Sequence, residues 1–189
     1  MRSIPGSRLH QQTGFSLVEL SITLALISAL SGFAVLNIAS ILPGMRANES
    51  MYQVVAQLRQ GRESAIAQRR NIELRFLGNN QIQLVRQDVP TGTTVLSTVQ
   101  LAGSNTFQLL SGVPDSPDAF GRSTALDFGS ATTYTFQTDG ILVDAQGNPI
   151  NGSIFLGLSG RPETARSVTI LGATGRVRSY RWTGSSWIQ

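Results

Sequence analysis

The sequence contains no cysteine and no lysine, and its single histidine is His10. All 15 cationic side chains are therefore arginines. These absences remove disulfides, thiol nucleophiles, Schiff-base lysines and His/Cys zinc sites, and they leave imidazole catalysis almost no material. Charge is also scarce, at 14% of residues against roughly 25% in ordinary soluble domains. Any catalysis would fall to carboxylates, hydroxyls and arginine, and no spacing brings two carboxylates together as a catalytic pair. Asp139, Asp144 and Asn148 are spaced like hairpin-turn residues rather than like a calcium-ligand ladder. Asp115 and Asp118, beside Pro114 and Pro117, read as solvated loop positions. The expectation is a protein that is not an enzyme and holds neither metal nor cofactor.

The net charge is +4, and the isoelectric point near 10.6 overstates how basic the surface is. With lysine absent, little titrates between neutrality and the very high pKa of arginine, so a small arginine excess carries the value upward. What the chain does have is hydrophobic residues, 41% of the total, enough for a packed core.

Those residues are concentrated near the start. A polar leader, 1–14, carries Arg2, Arg8 and His10. Then Gly14-Phe15-Ser16-Leu17-Val18-Glu19 opens an apolar run that lasts to Leu42, with no charge between Leu20 and Leu36. As a helix, residues 15–42 would reach about 42 Å, more than the roughly 30 Å hydrocarbon core. Arginine before the run and none within it predicts a cytoplasmic N-terminus and an exported remainder. A secretory signal peptide would have a shorter apolar stretch. A plain anchor leaves Glu19 unexplained, because an acid inside hydrocarbon costs about 2.5–3.5 kcal/mol at helix centre. Cleavage after Gly14 would explain it: Phe15 gains an ammonium, and Glu19 lies one turn downstream at a helix start that favours carboxylates. An ammonium on a neighbouring copy would serve equally and set the register of parallel helices.

Pro43-Gly44 predicts a kink or break in the helix, with Asn48 or Ser50 capping its restart. From 45 to 70, Met51, Val54, Val55, Leu58, Ala65 and Ile66 recur at helical spacing and mark a face for burial. Gly61 interrupts that face where a strand can approach closely. After Asn71 the period changes to two. Residues 72–76 and 81–85 flank Gly78-Asn79-Asn80 as a hairpin, and further strands are expected at 94–101, 106–110, 124–128, 132–137, 153–158, 166–171 and 177–182. Residues 111–123 read as a long loop. The fold class is α+β: a long N-terminal helix packed on an antiparallel β-sheet or sandwich. The segments are a leader at 1–14, an apolar helix at 15–42, its amphipathic continuation at 43–70 and a β-rich domain at 71–189.

In the last strand, Arg176, Arg178, Tyr180 and Trp182 alternate onto one face. Guanidiniums interleaved with aromatics suit a phosphate backbone and stacked bases. Residues 161–189 hold five arginines and one acid, whereas 115–144 hold five aspartates and one arginine. The competing account is a surface strand whose arginine stems cover apolar neighbours, with Thr174-Gly175 as a turn.

Gly14, Phe15, Ser16-Leu17-Val18 and Glu19 together resemble the prepilin N-terminus of type IV pilins and type II secretion pseudopilins. The run Leu58-Arg59-Gln60-Gly61-Arg62-Glu63-Ser64-Ala65-Ile66 followed by the 72–76 strand, with Tyr134-Thr135-Phe136-Gln137-Thr138-Asp139-Gly140, the 153–158 strand and Gly175-Arg176 further on, resembles the GspH/FimT family of H-type pseudopilins and T-type minor pilins. The resemblance implies cleavage after Gly14 by prepilin peptidase, N-methylation of Phe15, Glu19 acting in assembly, and packing with other pilin or pseudopilin subunits in a filament, in initiation or at the tip. It implies a single pass through the bacterial inner membrane with a periplasmic C-terminal domain. In T-type minor pilins a Gly-Arg-x-Arg element is associated with DNA binding, which would make Gly175, Arg176, Arg178, Tyr180 and Arg181 a DNA site. The alternative from another class is a periplasmic binding domain tethered by an uncut helix.

Overall fold

The computed structural model describes residues 14–189, with the backbone alone at 33–37. The leader residues Arg2, Arg8 and His10 lie outside the described residues. The chain divides into two compact units, 1–41 and 42–189. One helix, α1 (Leu17–Gln68), begins in the first unit and ends in the second.

In the first unit the helix is apolar on every side, and the large side chains of Leu17, Leu20, Ile22, Leu24, Leu26, Ile27 and Leu30 are all exposed. Three of its hydroxyls bond within the helix. Ser21 Oγ donates to Val18 O, Thr23 Oγ1 to Leu20 O and Ser28 Oγ to Leu24 O, each at 2.8 Å, a way for hydroxyls to sit in apolar surroundings. Among the described residues no helix is long and apolar enough to cross a membrane.

Pro43 does not break the helix, which runs through it without a restart. The expected caps have other roles. Asn48 Oδ1 accepts from Arg166 Nε (2.7 Å), and Ser50 Oγ accepts from Ala102 N (2.9 Å) and Asn105 Nδ2 (3.1 Å). Both side chains bond from mid-helix to the β domain.

In the second unit, Ala47, Ser50, Met51, Val54, Val55, Gln57, Leu58, Gly61 and Ala65 form the buried stripe, with the three-and-four spacing of a helix face. Ile66 was expected in that stripe but is exposed. Eleven strands follow among the described residues: β1 (Ile72–Leu77), β2 (Gln81–Gln87), β3 (Thr93–Gln100), β4 (Thr106–Phe107), β5 (Leu126–Asp127), β6 (Tyr134–Phe136), β7 (Leu142–Val143), β8 (Gly152–Leu158), β9 (Arg161–Leu171), β10 (Arg176–Trp182) and β11 (Trp187–Ile188). They form two antiparallel sheets, ordered β3-β2-β1-β6-β7 and β11-β10-β9-β8-β4, with β5 also pairing to β8. The architecture is α+β, a helix on antiparallel sheets.

One core joins the helix to both sheets through Val54, Leu58, Leu74, Leu84, Phe136, Ile154, Val168 and Ile170. At Gly61 an added Cβ would lie 3.0 Å from Leu84 and 3.1 Å from Phe136. The glycine thus lets sheet side chains approach the helix axis, as the sequence predicts. A second, smaller cluster, Leu110, Val113, Ala165 and Trp182 with Trp187 against it, covers the opposite face of the second sheet.

Candidate functional site

The apolar half of α1 begins at an ordinary helix start. Ser16 precedes it, its Oγ accepting from Val18 N (3.3 Å) and its carbonyl from Leu20 N (3.0 Å). Ser16 is therefore the N-cap and Glu19 the third helical residue, an exposed acid in the first turn. Ser-x-x-Glu is the capping-box spacing, a signal present in the sequence that the prepilin reading passed over. Glu19 thus sits where the helix dipole favours negative charge, whatever else it meets. Gly14 and Phe15 precede the helix and are exposed, Phe15 at 82%.

Three separated segments of the GspH/FimT-like pattern, the helix run, Gly140 and Gly175, meet at Arg62. Its Nε donates to Gly140 O at 3.3 Å. A Cβ on Gly175 would lie 2.5 Å from both the Arg62 side chain and Gly140 O, and one on Gly140 would lie 2.8 Å from Ile66. Both glycines also have positive φ, 64° and 85°, a region that penalises any side chain. Gly175 is thus required by backbone shape and by the close approach of Arg62. The long-range neighbour of Gly175 is the helix side chain of Arg62, which the strand pattern alone did not reveal.

Alternation places Arg176, Arg178, Tyr180 and Trp182 on one face of β10, as expected, but that face is largely covered. Residues 111–123 lie across it as a strap. Asp118, read from sequence as a solvated loop residue, is the strap's main tie: its Oδ1 accepts from Arg178 Nη1 (2.7 Å), and its Oδ2 from Thr169 Oγ1 (2.6 Å) and Tyr180 Oη (2.9 Å). Trp187 Nε1 donates to Pro114 O (3.2 Å) and Arg122 Nη2 to Leu110 O (2.8 Å). Burial pushes Asp118 upward, but the hydrogen bonds from Thr169, Tyr180 and Arg178, with the charge of Arg178, outweigh it and hold the carboxyl below its ordinary range. Tyr180 is raised, first by burial and then by its bond to Asp118. Tyr180 and Trp182 are buried and Arg178 is ion-paired. Of the five residues expected to hold DNA, Arg176 and Arg181 remain exposed, on opposite faces of the strand.

Asp139 and Asp144 are turn residues, as expected. Asp139 Oδ1 accepts from Ile141 N, and Asp144 Oδ1 from Gln146 N and Asn148 N. Among the described residues no cluster of acids and histidine could hold a metal.

An apolar helix opened by a capped acid and continued into a β domain defines the class of molecule at issue. Residues 9–35 match the family described as the prokaryotic N-terminal methylation motif. No curated protein matches the chain significantly by sequence. Similar solved structures include the type IV minor pilin FimU of Pseudomonas aeruginosa, at 16% identity and TM-score 0.48, covering 75% of this chain and 97% of that one. A second crystal form of FimU gives 16% identity and TM-score 0.47, over 80% and 96% of the two chains. The minor pseudopilin EpsH of the Vibrio cholerae type 2 secretion system gives 14% and 0.49, over 75% and 99%.

Proposed function

We propose that this chain is a minor subunit of a type IV pilus or type II secretion pseudopilus, cut after Gly14, N-methylated at Phe15 and drawn from the inner membrane into a helical filament. The observation that carries this reading is the first half of α1. Its described large hydrophobic side chains are exposed on every face, and the hydroxyls of Ser21, Thr23 and Ser28 bond to the helix's own carbonyls. A helix apolar all round is stable when lipid or other helices surround it. The methylation motif matched over residues 9–35 supports a filament over a lone anchor.

In this mechanism subunits assemble rather than turn over a substrate. Helix packing supplies the attraction, and Glu19 meets an ammonium created by cleavage, either its own or a neighbour's, which selects the axial register. A role at the start or tip of the filament accords with the GspH/FimT resemblance. DNA binding through 175–181 has less support, because Arg178 and Tyr180 are occupied by Asp118 and two exposed arginines on opposite faces make few phosphate contacts.

Mass spectrometry of the protein purified from membranes tests the processing step. A chain beginning at methylated Phe15 is expected, and an intact Met1 would establish the uncut tether instead. Glu19→Gln tests register separately, since glutamine still serves in a capping box while the charge is gone. Incorporation into sheared filaments should fall by about tenfold or more, the weight of one partly buried ion pair. Undiminished incorporation would overturn the electrostatic role.

A further inference from the structure

Arg166 of β9 is 3% exposed, yet it has no carboxylate within ion-pairing distance among the described residues. Its guanidinium is held by neutral oxygens: Asn48 Oδ1 (2.7 Å), Ala165 O (2.8 Å), Glu163 O (3.1 Å) and Gly44 O (3.3 Å). Directly across the strand pair stands a second cation, Arg181. Burial first, and then the charge of Arg181, push Arg166 down to about 10, which still leaves Arg166 charged at neutral pH. Buried charge normally has a counter-ion, and like charges on paired strands repel. The arrangement is an excess of positive charge that no ion pair among the described residues neutralises.

The excess borders a cavity. About 270 Å³ open between α1 and the last strands, lined by Asn48, Met51, Tyr52, Ser179, Arg181, Ile188 and Gln189. Asn48 thus touches the cavity on one side and binds Arg166 on the other. An open, mostly apolar groove of about 570 Å³ runs on along the helix past Met45, Tyr52 and Ala56, sharing Asn48 and Tyr52 with the cavity. Met45 and Tyr52 are both more than half exposed.

We infer that this surface docks an acidic segment of another protein, which places a carboxylate beside Arg181 and an apolar side chain in the groove over Tyr52 and Met45. Charge complementarity selects the carboxylate: it completes the Arg166/Arg181 pair, and a planar guanidinium fork suits it. The adjoining groove selects a peptide over a nucleic acid. A duplex needs several phosphate contacts, whereas this site offers one exposed guanidinium. The inference stands on these residues alone and does not depend on the filament reading.

The test uses the full chain in detergent micelles at low salt, with a labelled peptide alternating Asp and Leu, its counterpart alternating Asn and Leu, and duplex DNA as probes. The Asp peptide should bind at sub-millimolar concentration and about tenfold more tightly than the Asn peptide, the weight of one charge-assisted contact. Arg181→Gln should remove that difference, Arg181→Lys should keep part of it, and Arg59→Gln, on an exposed part of the helix, should leave it intact. Tyr52→Ala should weaken both peptides, which isolates the groove from the charge. The inference is overturned if neither peptide binds, if both bind alike, if Arg59→Gln acts as strongly as Arg181→Gln, or if DNA displaces the peptide with the same Arg181 dependence.

Discussion

The two halves of α1 belong to one continuous helix and have opposite surroundings. Leu26, in the first half, is 59% exposed, and Leu58, in the second, is fully buried. Gly32 has nothing within 4 Å of an added Cβ, whereas Gly61 faces Leu84 and Phe136. The difference is in the pattern. The second half sets its apolar residues in one stripe opposite arginine, glutamate and glutamine, so one face packs and the other is solvated. The first half has no polar face among its described residues, and its large hydrophobic side chains are exposed.

The sharpest way to break that contrast is a matched pair of truncations in the full chain, with stability followed by denaturant titration in detergent. Leu58→Ala should cost about 2–5 kcal/mol, as for other fully buried leucines. Leu26→Ala should cost the β domain less than about 0.5 kcal/mol, and its effect should fall on filament incorporation instead. Equal losses from the two would mean that the apolar half is packed against its own domain.

Glycine offers a second pair, with a smaller effect. Gly61→Val must push aside Leu84 and Phe136, and should cost about 1–3 kcal/mol. Gly32→Val meets no neighbour and should leave domain stability within about 0.5 kcal/mol of the parent.

The same contrast between local and imported contacts explains what the sequence could show. Periodicity located the helix and the longer strands: 72–76, 81–85 and 153–158 reappear as β1, β2 and β8 with little change. Leu142–Val143 and Trp187–Ile188 were missed, because two residues carry no period. Pro43 was overweighted, since tertiary bonds from Asn48 and Ser50 hold that part of the helix to the domain. The C-terminal face shows the same limit. Alternation put Arg178, Tyr180 and Trp182 together, but the residue that covers them, Asp118, lies 60 positions from Arg178 in a segment with no regular structure. Arg166 was equally illegible, because nothing local distinguishes a buried arginine from a solvated one.

The Asp118 tie gives a third comparison, between the strap and the rest of the domain. Asp118→Ala removes three bonds to side chains and should cost about 1–3 kcal/mol, read as exposure of Trp182 and Trp187 by fluorescence. Its pH dependence has a definite sign. A carboxyl held below its ordinary value of 3.8 in the folded chain contributes fully above that value, and the contribution fades as pH falls through the folded one. Tryptophan emission should therefore shift in acid below about pH 4 before the helix signal changes, and Asp118→Asn should flatten that early phase.

The smallest effect belongs to the helix start, where the cap and the charge can be separated. Ser16→Ala removes the oxygen that accepts from Val18 N and should cost about 0.5–1 kcal/mol of local helix stability. The loss should stay within the first turn, visible as faster amide exchange at 17–20 in micelles, with no change in the denaturation midpoint of the β domain. Glu19→Gln should do the reverse, leaving first-turn exchange nearly unchanged while reducing incorporation. If Ser16→Ala lowers incorporation as much as Glu19→Gln does, then the acid acts by holding the first turn of its own helix. Register would then rest on helix packing alone.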